Sequence, residues 1–198
     1  MKLTTDELIR CPWCLGFPEY IHYHDTEWGV PVWDDHVHFE FLVLESAQAG
    51  LSWATILKKR EGYRKAFADF DYRIVAEFPE RYVEELLLDP GIIRNKLKIR
   101  SAINNARCYM KVQKEFGLFS NYIWRFVGGK PIQNRMESMA EIKPTTKESD
   151  LLAKDLKKRG FKFLGSTTIY AHMQATGLVN DHLESCFRNA EVQALEKK

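Results

Sequence analysis

Apolar residues recur at three- and four-residue spacing along most of this chain, a pattern typical of amphipathic helices. Residues able to cap a helix precede several of these stretches: Asp34 or Asp35, Ser52 and Ser149. No convincing pair of strands is visible. The predicted helices cover residues 36–49, 53–67, 73–77, 79–88, 95–116, 121–126, 150–159, 166–175 and a last segment that carries His182 and Cys186. The sequence therefore predicts an all-α fold.

The chain has 198 residues, enough for one domain built as two helical lobes around a cleft. We expect a central lobe at about 36–145, with a hairpin of two helices at 88–99. Residues at about 1–35 and 146–190 would form a terminal lobe. The charged tail at 189–198 is expected to fray.

Composition excludes some classes of protein. Lys and Arg total 29 and Asp and Glu total 27, a near-balance that neither demands nor excludes nucleic acid as a partner. No apolar run reaches the length of a membrane span, and no signal peptide is visible, so no membrane partner is expected. Four irregularly placed cysteines do not make a disulfide framework, which favours a cytoplasmic protein.

Two pairs of residues able to bind a metal lie at opposite ends of the chain. They are Cys11 with His24, and His182 with Cys186. The second pair is spaced four residues apart, so on the predicted helix both side chains project from one face. Thiolate and imidazole suit Zn²⁺, and all four together would give it a tetrahedral site that joins the two termini.

Neighbouring residues leave alternatives to this site open. Cys14 and His22 compete with Cys11 and His24 for the same places, and all of them can be ordinary core residues. Cys11 and Cys14 also form a C-x-x-C pair, which occurs in redox proteins as well as in zinc sites. No second C-x-x-C and no βαβ pattern accompany it, which disfavours a thioredoxin-like protein.

Glu45 lies within or beside the apolar stripe of the helix predicted at 36–49. A carboxylate there is costly unless it is paired or faces a cleft, where it can bind a cation or act in catalysis. Alternatively, Glu45 reaches water at the edge of the stripe. Several aromatic residues lie close in sequence to Glu45 or to the metal candidates, and they form either core packing or a pocket for a flat cation. They are Trp13, Tyr23, Trp28 and Trp53.

The segment at 88–99 combines a Gly-containing turn with basic residues. Gly91 lies in the turn, and Arg94 and Lys96 follow it with no acidic residue between them. Backbone N–H groups at such a turn can bind a phosphate, and the basic side chains add charge. The alternative is a helical hairpin with a solvated basic face.

Several motifs in order make the chain resemble the 3-methyladenine DNA glycosylase I family along nearly its full length. The motifs are RCPW at 10–13, YHDTEWGVP at 23–31, LESAQAGLSW at 44–53, GIIR at 91–94, KKRGFKF at 157–163 and GLVNDH at 177–182. The resemblance implies an all-α, helix-hairpin-helix DNA glycosylase fold formed as a single domain over 1–198. It also implies removal of alkylated adenine from double-stranded DNA, with free 3-methyladenine as a product, and we expect a monomer.

The resemblance assigns roles to individual residues. The ligands of one structural Zn²⁺ fall on Cys11, His24, His182 and Cys186. The catalytic, base-recognising carboxylate falls on Glu45, and the base-binding aromatics fall on Trp13, Tyr23, Trp28 and Trp53. We assign DNA contacts to Gln48, Gly50 and Leu51 in one loop and to Gly91, Arg94 and Lys96 at the hairpin, with Leu51 filling the space left by a flipped base.

A mechanism follows from these assignments. N3-alkylation makes adenine cationic, so the base leaves without a strong acid, while aromatic faces and Glu45 favour the cation over neutral adenine. Water completes hydrolysis, and we expect no covalent lysine intermediate and no strand cleavage. The alternatives are a non-catalytic, zinc-stabilised lesion-binding domain and a redox protein that uses Cys11 and Cys14.

Overall fold

The computed structural model of the protein describes residues 8–195, and helices dominate this part of the chain. The α-helices are α1 (Pro18–Thr26), α2 (Asp35–Gln48), α3 (Trp53–Ala66), α4 (Tyr72–Ala76), α5 (Glu80–Leu86), α6 (Lys96–Phe116), α7 (Phe119–Trp124), α8 (Lys147–Lys158), α9 (Ser166–Ala175) and α10 (Phe187–Leu195). Short 3-10 helices cover Pro12–Cys14, Ala68–Phe70, Arg125–Val127 and Met139–Glu141. The predicted all-α fold is confirmed.

Helix α2 is the centre of the fold. Its residues are buried without interruption from His38 to Ala47, and it packs against α3, α6, α7 and α9. The helix begins where the Asp34 carboxylate accepts hydrogen bonds from the backbone N–H groups of His36 and Val37. A helix covered on all sides is the most rigid support that the fold offers for a functional side chain.

Capping residues set the starts of the other long helices. Ser52 accepts from the Thr55 N–H at the start of α3, and Asn95 accepts from the N–H groups of Leu97 and Lys98 at the start of α6. Both starts agree with the prediction. Helix α8 begins three residues earlier than predicted, because Thr146 and Ser149 bond each other's backbone N–H groups and so form the cap together.

Helix α1 and the two short strands were not predicted from the sequence. Helix α1 has Pro18 in its first turn, a favourable place for proline, but its apolar residues do not form a clear stripe. Strands β1 (Ile132–Gln133) and β2 (Val179–Asn180) pair in parallel. Two residues are too few for an alternating pattern to be recognised.

The C-terminal segment differs from its prediction in two respects. His182 and Cys186 lie in the loop between β2 and α10, and the helix predicted for them is wrong. The loop is held by tertiary hydrogen bonds, such as the one from the Glu184 N–H to the Met136 carbonyl. Residues up to Leu195 form α10 instead of a frayed tail, because Val192 is fully buried. Residues 196–198 of the predicted tail, and 1–7 of the predicted terminal lobe, lie outside the described residues.

Two apolar clusters form the interior. The larger one lies among α2, α3, α6, α7, α8 and α9. The smaller one joins both ends of the described chain and contains Cys11, Tyr23, Trp28, Phe41 and Cys186. The lobe boundaries at 36 and 145 stay a prediction. Within residues 8–195, no helix combines the length and the apolar composition needed to cross a membrane.

Candidate active site and metal centre

A cavity of about 220 Å³ opens beside Glu45 and is walled by aromatic rings. Helices α1, α2, α3 and α9 contribute side chains to it, together with the segment at 139–142. The cavity therefore brings together residues that are more than 150 positions apart in the sequence. Six of its residues were named from the sequence, namely Trp13, Tyr23, Trp28, Glu45, Gln48 and Trp53.

The aromatic rings hold one another in place. The ring centroids of Trp13 and Trp28 are 4.9 Å apart with an edge-to-face angle of 69°, and those of Tyr23 and Trp53 are 5.4 Å apart. Phe41 stands behind the second pair, 6.3 Å from each of its rings. Such contacts fix the ring planes, which leaves a preformed space for a flat ligand.

Glu45 is a buried carboxyl group without a partner among the described residues. Its side chain is only 4% exposed, and its Oε2 atom has no hydrogen bond. Burial raises the pKa of Glu45 to about 8, which favours the neutral carboxylic acid in the cavity at pH 7. The low exposure of Glu45 disfavours the alternative in which it lies at the edge of the stripe and reaches water.

Trp53 adds a second unsatisfied group, since its buried Nε1–H has no acceptor among the described residues. Burying a polar group without a hydrogen bond costs free energy, about 1–3 kcal/mol for each group. Glu45 and Trp53 both line the cavity. A ligand that bonds both groups would recover that free energy, and this favours a planar molecule with polar edges.

The structure adds five cavity residues that sequence reasoning missed. They are Tyr20, Met139, Ile142, Ala171 and Gln174. Gln174 is held in place by Asp181, whose carboxylate accepts from the Gln174 side chain at 2.8 Å and from the Tyr170 hydroxyl at 2.7 Å. Tyr20 precedes Tyr23 by one helical turn, so recognition of α1 would have placed both on one face.

The four predicted metal ligands meet at a single point. The donor atoms of Cys11, His24, His182 and Cys186 all lie within 4.8 Å of one another, and all four residues are buried. Their sulfur-to-nitrogen distances are 3.5 Å for Cys186 to His24, 3.6 Å for Cys186 to His182 and 3.7 Å for Cys11 to His182. Bond lengths of about 2.3 Å to sulfur and about 2.0–2.1 Å to nitrogen place such pairs about 3.6 Å apart around tetrahedral Zn²⁺. The cluster therefore fits a zinc ion.

Outer partners orient both imidazole rings. His24 donates from Nδ1 to Asp25 at 2.7 Å, and Arg10 holds that carboxylate from its other side at 2.8 Å. His182 donates from Nε2 to the Trp28 carbonyl at 3.0 Å. In each ring this leaves the other nitrogen free to bind a metal. Because Trp28 also lines the cavity, the metal cluster directly supports one of its walls.

The competing candidates do not belong to the metal cluster. The Cys14 thiol donates to the Cys11 carbonyl at 3.2 Å, and His22 is exposed. Burial raises the pKa of Cys14 to about 11, which makes it a poor nucleophile for redox exchange. The hydrogen bond from the Cys11 thiol lowers the pKa of Cys186.

The hairpin residues lie apart from the cavity. Gly91 is in the turn between α5 and α6, where it approaches the backbone of Gly62 so closely that a side chain on Gly62 would collide with it. Arg94 is exposed and has no partner among the described residues. Lys96 forms an ion pair with Glu84 at 2.5 Å, which a phosphate would have to replace.

The loop after α2 carries the remaining predicted contacts. Gly50 has a φ of +81°, and a Cβ there would meet nothing within 4 Å, so backbone conformation alone favours glycine at this position. Leu51 is 41% exposed. Of the three DNA contacts predicted here, Gln48, Gly50 and Leu51, Gln48 also lines the cavity. The loop thus borders the cavity with an exposed apolar side chain at its tip.

The fold is similar to that of solved helical DNA glycosylases. The crystal structure of a 3-methyladenine DNA glycosylase I superposes with a TM-score of 0.88 at 49% sequence identity, covering 90% of this chain and 98% of that one. A second structure, which addresses 3-methyladenine recognition by the Staphylococcus aureus 3-methyladenine DNA glycosylase I, has a TM-score of 0.88 at 38% identity. It covers 91% of this chain and 96% of that chain.

The sequence comparisons agree with the fold. The family model for methyladenine glycosylases matches residues 13–189, and this chain belongs to that family. DNA-3-methyladenine glycosylase 1 of Escherichia coli (strain K12) is 49% identical over 177 residues, which are 89% of this chain and 95% of that protein. DNA-3-methyladenine glycosylase of Haemophilus influenzae is 45% identical over 177 residues, 89% of this chain and 96% of that protein. The resemblance inferred from the motifs is confirmed.

Proposed function

We propose that this protein is a monofunctional DNA glycosylase that flips 3-methyladenine out of alkylated double-stranded DNA and hydrolyses its N-glycosidic bond. The products are the free base and an abasic site. One observation carries the proposal: a buried, unpartnered Glu45 lines a preformed aromatic cavity. Enzymes that act on a base inside a duplex need such a pocket to receive the extruded base. The names of the two curated relatives and the recognition described for the Staphylococcus aureus enzyme support the same substrate.

In this proposal, Trp13, Tyr23, Trp28 and Trp53 enclose the base, and Glu45 bonds its polar edge. Burial favours the neutral form of Glu45 in the empty cavity, and this form can donate as well as accept. A cationic base next to it stabilises the carboxylate form, because opposite charges at short range lower the pKa of a carboxyl group. The carboxylate then also stabilises the positive charge that develops at C1′ as the base leaves.

The leaving base needs little acid catalysis, since N3-alkylation already makes it cationic. The described residues that line the cavity include no lysine, which supports hydrolysis by water over a covalent amine intermediate. An enzyme of this kind leaves the DNA strand intact.

We also propose that the cluster of Cys11, His24, His182 and Cys186 holds one structural Zn²⁺. All four coordination positions would come from the protein, so the ion has no place for a catalytic water. Its contribution is stability: it joins the N-terminal segment to the loop before α10 and supports Trp28 through His182. Because these four donors and the cavity residues all come from one chain, we propose that the protein acts as a monomer. We place it in the cytoplasm, where reducing conditions keep the two cysteine ligands from forming a disulfide and so available to bind the metal.

DNA contacts are proposed on two surfaces. Gly91, Arg94 and Lys96 would receive backbone phosphates, and Arg94 is already free to do so. Gln48, Gly50 and Leu51 would enter the space that the flipped nucleotide leaves, because Leu51 is an exposed apolar residue between Gln48 and Trp53, which both line the cavity.

The deciding experiment is analysis of the products from methylated duplex DNA. A glycosylase releases 3-methyladenine and leaves alkali-labile abasic sites in otherwise intact strands. A non-catalytic lesion-binding domain would shift methylated DNA in a binding assay without releasing any base. A redox protein would do neither and would show reactive thiols at Cys11 and Cys14 in the metal-loaded protein.

A further inference from the structure

We propose that Lys98 is a positioning residue, which joins the DNA-binding hairpin to the loop at residues 49–52 and thereby couples DNA binding to base excision. The proposal rests on the function proposed above. It concerns a side chain that is not among those that line the cavity or the four metal candidates, and whose contacts differ from those of the other basic residues at positions 94–100.

The Lys98 ammonium group caps the end of α2. Its Nζ donates to the Ala47 carbonyl at 2.8 Å and to the Ala49 carbonyl at 2.7 Å. The last carbonyls of a helix have no partner within the helix, and this end of the helix dipole favours a positive charge. Two charged hydrogen bonds therefore fix the backbone two residues after Glu45 and immediately before Gly50.

The fixed segment is the loop that presents Leu51. The Leu51 N–H donates to the Gln48 carbonyl at 2.6 Å, so the turn is tight, and Gly50 has left-handed φ. Beyond the loop, Ser52 starts α3 by capping it. Nothing in the loop itself packs into a core, since residues 49–52 are all exposed. Its position therefore depends on Lys98 and on the two helices that it connects.

The backbone of Lys98 belongs to the hairpin, on the opposite side of the contact from the loop. It lies in the first turn of α6, where Asn95 caps its backbone N–H. The hairpin is also tied to α3, because Lys59 donates to the Pro90 carbonyl at 2.6 Å and Tyr63 accepts from the Ile93 N–H at 3.1 Å. The proposed phosphate-binding turn, α3 and the end of α2 are thus connected to one another by hydrogen bonds. Lys98 connects the hairpin directly to the end of α2.

None of its basic neighbours is recorded in contact with the loop within the described part of the chain. Lys96 pairs with Glu84 and Arg100 pairs with Glu80, both on α5, while Arg94 has no partner among residues 8–195. These three side chains can turn to a phosphate without disturbing the loop. Lys98 is partly buried, which lowers its pKa, and both of its acceptors are backbone atoms. Lys98 therefore acts as a structural clamp, which means here that it holds the start of α6 to the end of α2.

The test compares Lys98→Met with Lys111→Met, a matched change at an exposed lysine of the same helix. Methionine keeps the apolar stem of Lys98 and removes its donors. Single-turnover excision from methylated duplex DNA should fall about ten- to hundredfold, because small displacements of a positioning group cost that much. Affinity for free 3-methyladenine should stay within about twofold, because the cavity walls remain.

Lys98→Arg is the second variant, for the case in which Lys98→Met does not fold. It keeps the charge at the end of α2, but its longer side chain and fixed planar donors meet the two carbonyls in a different geometry, so excision should fall less than in Lys98→Met, about threefold, at unchanged free-base affinity. Wild-type excision in the folded variants would overturn the proposal. A parallel loss of excision and of free-base affinity would also overturn it, because that result marks a general defect of the fold.

A separate readout distinguishes this proposal from the proposed function. Hydrogen exchange at the Gly50 and Leu51 amides should be on the order of tenfold faster in the Lys98 variants than in Lys111→Met. This measurement needs no substrate. If the wild-type protein released no base, the glycosylase function would fail, and unchanged exchange in the variants would independently refute the clamp.

Discussion

The burial of Glu45 makes a strong prediction about stability. The carboxyl group has no hydrogen bond and no cation beside it among the described residues, and burial raises its pKa from 4.5 to about 8. Glu45→Gln keeps the size of the side chain and removes its titration. The variant should therefore be more stable than the wild type at high pH, although it loses a residue of the active site.

The sign and size follow from linkage. The pKa of Glu45 is higher in the folded protein than in the unfolded chain. The contribution of protonated Glu45 to the free energy of unfolding is therefore fully present below about pH 4.5 and is lost as the pH rises through about 8. One pKa unit corresponds to about 1.4 kcal/mol, so the complete effect is on the order of 5 kcal/mol. About 3–4 kcal/mol of it falls between pH 5 and pH 8. This is a large fraction of the 5–15 kcal/mol that stabilises an average domain.

The assay is urea unfolding of both proteins at pH 5, 6.5 and 8. The quantity of interest is the difference in unfolding free energy between Glu45→Gln and wild type, because other titrating groups, including the metal ligands, cancel in it. The difference should grow toward pH 8 in favour of the variant. Glu77→Gln, at an exposed position, is the control and should give a flat difference. A flat difference for Glu45→Gln as well would show that the carboxyl is hydrated or paired, and would refute the reasoning.

Three further predictions concern the metal and the DNA surfaces. His182→Ala should lose zinc, as measured by native mass spectrometry, and lower the unfolding temperature by on the order of 10 °C; retained zinc would remove His182 from the ligand set. Arg94→Ala and Lys96→Ala should weaken binding to damaged and undamaged DNA alike, and each should reduce the slope of log affinity against log salt concentration by about 0.9. Lys111→Ala is the control, and unchanged slopes for the first two variants would contradict the phosphate contacts. Leu51→Ala should slow single-turnover excision on the order of tenfold without changing free-base affinity, and equal rates would exclude it from the flipped-base space.

The long helices could be predicted because local signals agree with burial. In α2, α3 and α6, a capping side chain stands at the start of a periodic apolar stretch, as Asp34, Ser52 and Asn95 do. These signals act within one turn of the chain, so they can be read from the sequence alone. Helix α1 lacks both a side-chain cap and a clear stripe, and it was missed for that reason.

The metal residues were predicted by an argument that was partly wrong. His182 and Cys186 meet His24 and Cys11 from a loop, and their four-residue spacing owes nothing to a helix. The loop is shaped by distant contacts, including the Asn189 side chain on the His182 carbonyl at 2.6 Å. Contacts of this kind arise only in the folded chain, so the residues alone left Cys14 and His22 as open alternatives.

Cavity residues show the same limit. Trp53 and Glu45 stand near each other in the sequence, whereas Gln174 reaches the cavity from α9 through a hydrogen bond to Asp181. No local pattern distinguishes Gln174 from other polar helical residues. Likewise, the sequence could not decide whether Glu45 reaches water, since that depends on the four helices that cover α2.

The most direct test of the central claim pairs two measurements on Glu45→Gln. They are the affinity for free 3-methyladenine by calorimetry and single-turnover excision on methylated duplex DNA, with zinc content and folding as controls. If Glu45 bonds the base and stabilises charge at the sugar, the variant binds the base more weakly and excises it more slowly, while its zinc content matches the wild type. Wild-type values in both measurements would place the carboxyl outside the site and contradict this account.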